Sequence, residues 1–144
     1  MFEVDERLIN DTVPLGDFAL CRVLLMNDSR YPWLILVPRC SAVSEVFDLT
    51  AEQQQQLWLE ASTVGQVLKG VYQADKINIA TLGNVVSQLH IHVVVRMRDD
   101  AAWPAPVWGQ GEAQPYSAEA VEQIKTQLHA ALTQLWLTDT EVGR

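Results

Sequence analysis

Positive charge is scarce in this chain of 144 residues: 10 lysines and arginines stand against 18 aspartates and glutamates, a formal net charge of −8. A field of that sign repels phosphate polymers and anionic lipid surfaces. It excludes bulk binding to nucleic acid or to a membrane surface, and leaves room only for a small anion site built from a few donors. Long apolar runs are also missing, and none approaches the roughly 18 residues of a membrane-spanning helix. The acidic start, Met1-Phe2-Glu3-Val4-Asp5-Glu6-Arg7, has no basic segment leading into an apolar one, so no secretory leader and a cytoplasmic location are expected. Cysteine is rare: Cys21 and Cys40 form no Cys-x-x-Cys pair and predict free thiols rather than a disulfide framework. Histidine occurs three times, and two of the three, His90 and His92, fall in one short stretch.

What is present is a folded composition, 49% hydrophobic and 19% charged, with no internal repeat and no long linker, so residues 1–144 read as a single domain. Residues 5–10 suggest a short helix. Phe18–Met26 is apolar and β-rich, ends in the turn-prone Asn27-Asp28-Ser29, and is followed by Trp33–Val37 up to Pro38. Two such runs across a short polar turn predict an antiparallel hairpin. Their continuous apolarity implies cover on both faces, or a partner chain over one. Thr50-Ala51-Glu52-Gln53 has the spacing of a capping box. Leu57, Ala61, Val64, Leu68 and Val71 then recur every three or four residues, one stripe of a long amphipathic helix. Gln53–Gln56 read as its solvated first turns, and Trp33 and Trp58 as packing residues. Lys76–Leu82 and Val85–Met97 read as strands on either side of Gly83-Asn84. Trp103–Pro115, with three prolines, two glycines and two tryptophans, is a loop. Trp103 and Trp108 in it either wall a site or interface, or pack locally. Ser117 caps a last helix with the stripe Val121, Ile124, Leu128, Ala131 and Leu135, on which His129 is an ordinary surface residue. Hairpins with helices set between them predict an α+β domain around an antiparallel sheet of about five strands.

The strand Gln88-Leu89-His90-Ile91-His92-Val93-Val94-Val95-Arg96-Met97-Arg98 carries the chemistry. Side chains alternate between the two faces of a strand, so Gln88, His90, His92, Val94, Arg96 and Arg98 share one face and an unbroken apolar set shares the other. Two imidazoles about 6–7 Å apart result, since each residue advances about 3.3 Å. Three readings compete. The histidines are satisfied groups on an alternating strand; or they are two ligands of a metal completed by Cys21, Cys40 or Asp28, none at a recognisable ligand spacing; or one is a nucleophile acting on phosphorus, with N–H donors around the phosphate.

Residues 76–95, Lys-Ile-Asn-Ile-Ala-Thr-Leu-Gly-Asn-Val-Val-Ser-Gln-Leu-His-Ile-His-Val-Val-Val, resemble the signature segment of the histidine-triad (HIT) superfamily, His-φ-His-φ-His-φ-φ with φ apolar. Leu24-Leu25-Met26-Asn27 followed by Trp33-Leu34-Ile35-Leu36-Val37-Pro38-Arg39 is similar to the family's hairpin. Trp103-Pro104 resembles a Trp-Pro that often follows the triad. The resemblance spans roughly residues 17 to 108. It implies a HIT-like fold with a long helix and a C-terminal helix, and action at the α-phosphate of a nucleotide conjugate, a dinucleoside polyphosphate or a nucleoside phosphoramidate. It implies His90 as the nucleophile, His92 as the phosphate contact that helps the leaving group, and a nucleotidyl-histidine intermediate. It puts Gly83 at the phosphate turn, Asn78 among the phosphate-side polar groups, and Asn27 at the ribose hydroxyls. Asn27 also makes sense as a plain turn residue, and Asn78 as a strand amide. No metal or cofactor is called for.

Two departures stand out. Gln88 occupies the first triad position, where an amide exchanges hydrogen bonds but carries no proton charge. Val85 stands where many relatives have a hydroxyl. A nucleotide-binding or regulatory module with little turnover is therefore the alternative to a hydrolase or transferase. The resemblance, with the apolar stripe and Trp58 on the long helix, implies a homodimer.

Overall fold

The structure, a computed structural model, describes residues 1–138; residues 139–144, counted above within the single domain, lie outside the described residues. Helix α1 (Glu6–Asp11) is followed by strands β1 (Thr12–Asp17), β2 (Cys21–Met26) and β3 (Trp33–Pro38), the long helix α2 (Ala51–Tyr72), strands β4 (Lys76–Ala80) and β5 (Ile91–Arg96), and helix α3 (Ala118–Ala131). The five strands form one antiparallel sheet in the order β1-β2-β3-β5-β4. The α+β architecture and the sheet of about five strands are as expected.

Every residue of β3 and of β5 is buried. Both faces of these two central strands are covered within this one chain, which explains their continuous apolar runs. On one face Leu34, Leu36, Ile91, Val93 and Val95 pack with Leu57, Ala61, Val64 and Leu68 of α2. On the other, Trp33, Ile35, Val37 and Val94 pack with Leu8 of α1 and with Ala102 and Val107 of the long loop. The capping box of α2 forms as its spacing predicts: the Thr50 hydroxyl accepts from the Gln53 N–H, and the Gln53 side chain accepts from the Thr50 N–H. The adjacent glutamines are more than solvated first turns, since the Gln56 amide donates to the Glu60 carboxylate at 2.7 Å. Glu60 is fully buried on α2 and also accepts from the backbone N–H of Leu20 and Cys21. It clasps the turn before β2 to the helix.

Three further expectations are corrected. The segment before β2 contains a strand of its own: β1 carries Pro14 and Gly16, which suit an edge strand with an irregular register between them. Gly16 has a φ of +149°, and a Cβ there would sit 3.1 Å from the Trp136 ring. The histidine strand is shorter than Val85–Met97, because its partners run out. The last pairs are Leu36↔Ile91 and Ala80↔His92. Beyond them the chain is held singly, by Leu89 N–H to the Val43 carbonyl and by the Thr81 hydroxyl to the His90 carbonyl. Trp58 is 45% exposed rather than packed. His129 is exposed as expected, and its Nε2 lies 2.7 Å from the Leu15 carbonyl, tying α3 to β1.

Candidate active site

Strand alternation puts His92, Val94 and Arg96 of β5 on the face away from α2, opposite Ile91, Val93 and Val95. His90 sits just before the strand. The two imidazoles meet edge to face with ring centroids 4.9 Å apart. Both line a cavity of about 490 Å³. Its walls come from Arg7 and Asp11 of α1, Met26 of β2, Ile35 of β3, Gly83 and Val85 of the turn after β4, and Trp108 of the loop. Gly83 takes a φ of +77°, a conformation other residues adopt only with strain.

The hydrogen bonds assign a proton to each ring. His90 Nδ1 lies 2.6 Å from the Gln88 backbone carbonyl. A carbonyl only accepts, so Nδ1 carries the hydrogen and Nε2 keeps a free lone pair. His92 Nδ1 lies 3.0 Å from the indole Nε1 of Trp33. An indole N–H only donates, so this Nδ1 is the acceptor and the proton is on Nε2. Burial, reinforced by the neighbouring His90 imidazole, holds His92 down to about 3. The rings of Trp33 and Trp108 flank it at 5.6 and 5.0 Å. His90 thus presents an unpaired Nε2 lone pair to the cavity, and His92 a neutral N–H donor beside it.

The other sequence candidates divide. Gly83 lines the histidine cavity, as does Val85, which is 76% exposed. Asn27 lines an adjoining cleft of about 390 Å³ that shares Asn10, Asp11, Met26 and Trp108 with the first, and its Oδ1 accepts from the Tyr116 N–H. Gln88 does not face His90 with its side chain. Its amide turns to the N-terminal segment, accepting from Asp5 N–H and donating to the Glu3 carbonyl; only its backbone carbonyl reaches the histidines. Asn78 is likewise outside the cavity, with its Oδ1 held at 2.9 Å by Arg96. Arg96, expected as a guanidinium on the histidine face, is 2% exposed and pairs with both Asp100 oxygens and the Ala105 carbonyl. Burial alone would raise the Asp100 carboxyl. The Arg96 guanidinium and the N–H groups of Met97, Trp103 and Ala102 outweigh it and hold Asp100 down to about 2. Trp103 covers that ion pair, with the guanidinium 5.6 Å from its ring.

The metal reading finds no ligand set: Cys21 lies on the α2 face against Glu60, and Asp28 is paired with Arg30 at 2.8 Å. Among the described residues, no three His, Cys, Asp or Glu side chains converge. Sequence reasoning missed Trp33 as a site residue and Arg7 as the cation at the rim. Trp33 and Ile35 alternate onto the histidine face. The register that brings them to His92, Ile35↔His92 and Trp33↔Val94, joins strands more than fifty residues apart, which no local pattern announces.

Comparison with known proteins bears on the fold and the family. A histidine triad protein from Marinobacter aquaeolei VT8 superimposes with a TM-score of 0.92 at 47% identity, covering 94% of this chain and 98% of that one. One from Sinorhizobium meliloti 1021 gives 0.89 at 45% identity, covering 92% and 98%. A bis(5'-adenosyl)-triphosphatase from Dictyostelium discoideum is 29% identical over 104 residues, 67% of this chain and 70% of its own length. The HIT domain family model matches residues 7–99, the stretch that holds all but the first residue of α1, the whole sheet and both His90 and His92, and the chain belongs to that family.

Proposed function

We propose that this protein cleaves nucleotide conjugates at the α-phosphate, with His90 as the nucleophile. One observation carries the reading: the Gln88 carbonyl accepts the hydrogen bond of His90 Nδ1–H at 2.6 Å, which keeps the proton on Nδ1 and leaves Nε2 able to attack. Nε2 forms a bond to the α-phosphorus, and the bond to the leaving group breaks with its electron pair. The positive charge that develops on the ring is stabilised through Nδ1–H by the same carbonyl. Water then attacks the phosphorus, the P–N electron pair returns to Nε2, and the nucleotide leaves with a proton passing to solvent; another acceptor in place of water would make the protein a transferase. His92 donates Nε2–H to a phosphate oxygen. Arg7 adds a positive charge at the rim, the Gly83 turn lies beside the phosphates, and the ribose sits toward Asn27. A bis(5'-adenosyl) triphosphate, the compound for which the 29% identical relative is named, supplies the substrate class. The whole chain, residues 1–144, acts as one domain and pairs with a second copy in the cytoplasm.

The test is AMP release from diadenosine triphosphate, followed by chromatography, with wild type and His90→Ala. Release by wild type and its loss in the variant support the reading. Nucleotide binding with no release would favour a binding module instead.

A further inference from the structure

We propose that Trp33 is a positioning residue that locks His92 as a neutral imidazole, so that the site takes phosphoric anhydrides and discriminates against phosphoramidates. The inference rests on the hydrolase reading above. The Trp33 Nε1 to His92 Nδ1 hydrogen bond is 3.0 Å long and joins two side chains that are each 5% exposed. Making His92 cationic requires a proton on Nδ1. That breaks the bond and strands a buried indole N–H, the costly side of hydrogen-bond loss. The surroundings offer nothing in exchange. His90 lies beside it on its own segment, Trp33 and Ile35 face it from β3, Trp108 packs against it from the loop, and Ala80 is its pair on β4. Arg7 and Asp11 of α1 are the charged side chains lining the cavity. Among the described residues no carboxylate hydrogen-bonds to His92.

The consequence lies in the leaving group. When His90 attacks an anhydride, the P–O bond breaks and the electron pair stays on the bridging oxygen of a phosphate, which is stable as an anion. A hydrogen bond from His92 Nε2–H is sufficient help. When it attacks a phosphoramidate, the P–N bond breaks and the nitrogen must gain a proton to leave as an amine. A neutral His92 could give that proton only by becoming an imidazolate. The missing general acid costs about 10²–10⁴-fold for such a substrate.

The experiment has two arms. Nitrogen-15 NMR of the histidine rings in the free wild-type protein reads the tautomer directly, and kcat/KM is compared for diadenosine triphosphate and adenosine 5'-phosphoramidate in wild type and Trp33→Phe. The expected result is an unprotonated Nδ1 on His92 that persists well below neutral pH, with a preference for the anhydride of at least about 100-fold. Trp33→Phe keeps an aromatic ring but removes the donor, and narrows that preference by about tenfold. A proton on His92 Nδ1 at neutral pH, or an unchanged preference in folded Trp33→Phe, overturns the inference. Equal turnover of the two conjugates also overturns it while leaving the hydrolase reading intact; turnover of neither removes both.

Discussion

His92 shows how a single residue couples the site to stability. An imidazole ordinarily titrates near 6.5, and here burial and the His90 ring hold it down to about 3. Below pH 6.5 the unfolded chain takes up this proton while the folded chain does not. The stability gained from keeping His92 neutral is therefore complete above that pH and is lost progressively as pH falls toward about 3. Asp28 and Asp100 are both held below the ordinary carboxylate value of 3.8 and add their own losses only at lower pH. Urea unfolding between pH 6.5 and the carboxylate range is predicted to show a slope of up to about 1.4 kcal/mol per pH unit, flattened in His92→Gln. A slope that survives this substitution would place the acid sensitivity elsewhere. The histidine pair itself was legible from alternation and from the family signature. The partner of each ring was not, because one partner is a backbone carbonyl and the other an indole on a distant strand.

Among the elements, α2 was legible almost in full: its cap, its length and its apolar stripe follow from hydroxyl, amide and aliphatic spacing. Glu60 was invisible there, since a glutamate between Leu57 and Val64 reads as a surface residue until the turn before β2 folds over it. Its carboxylate satisfies two backbone N–H groups and the Gln56 amide. Glu60→Ala strands the buried N–H groups of Leu20 and Cys21 and is predicted to cost about 2–4 kcal/mol in denaturant unfolding. A loss below about 0.5 kcal/mol, the scale of a surface change, would show that the clasp is dispensable. The strands were legible in proportion to their burial: β3 and β5 announce themselves as apolar runs, whereas β1, at the edge with Pro14 and Gly16, does not.

For the molecule as a whole, the order of hairpins and helices pointed to an α+β fold, and the sheet order had to come from the structure. The apolar surface left uncovered is uneven. Phe47, Trp58 and Leu59 are 77%, 45% and 57% exposed, and Ile79 on the edge strand β4 is 42% exposed. The homodimer proposed above is predicted to bury part of this surface, and β4 is an edge strand of the sheet. Light scattering at micromolar protein is predicted to give twice the 16.2 kDa chain mass, reverting to the chain mass in Trp58→Glu. A monomer in the wild type would contradict the dimer.

The central claim is that His90 Nε2 attacks phosphorus. The direct measurement is to quench turnover of diadenosine triphosphate in base, where a phosphorus–histidine bond persists, and to map the adduct by mass spectrometry. The account predicts an adenylyl group on His90, and turnover reduced by several orders of magnitude in His90→Ala while nucleotide binding survives. An adduct on His92, or near-wild-type turnover by His90→Ala, would contradict it.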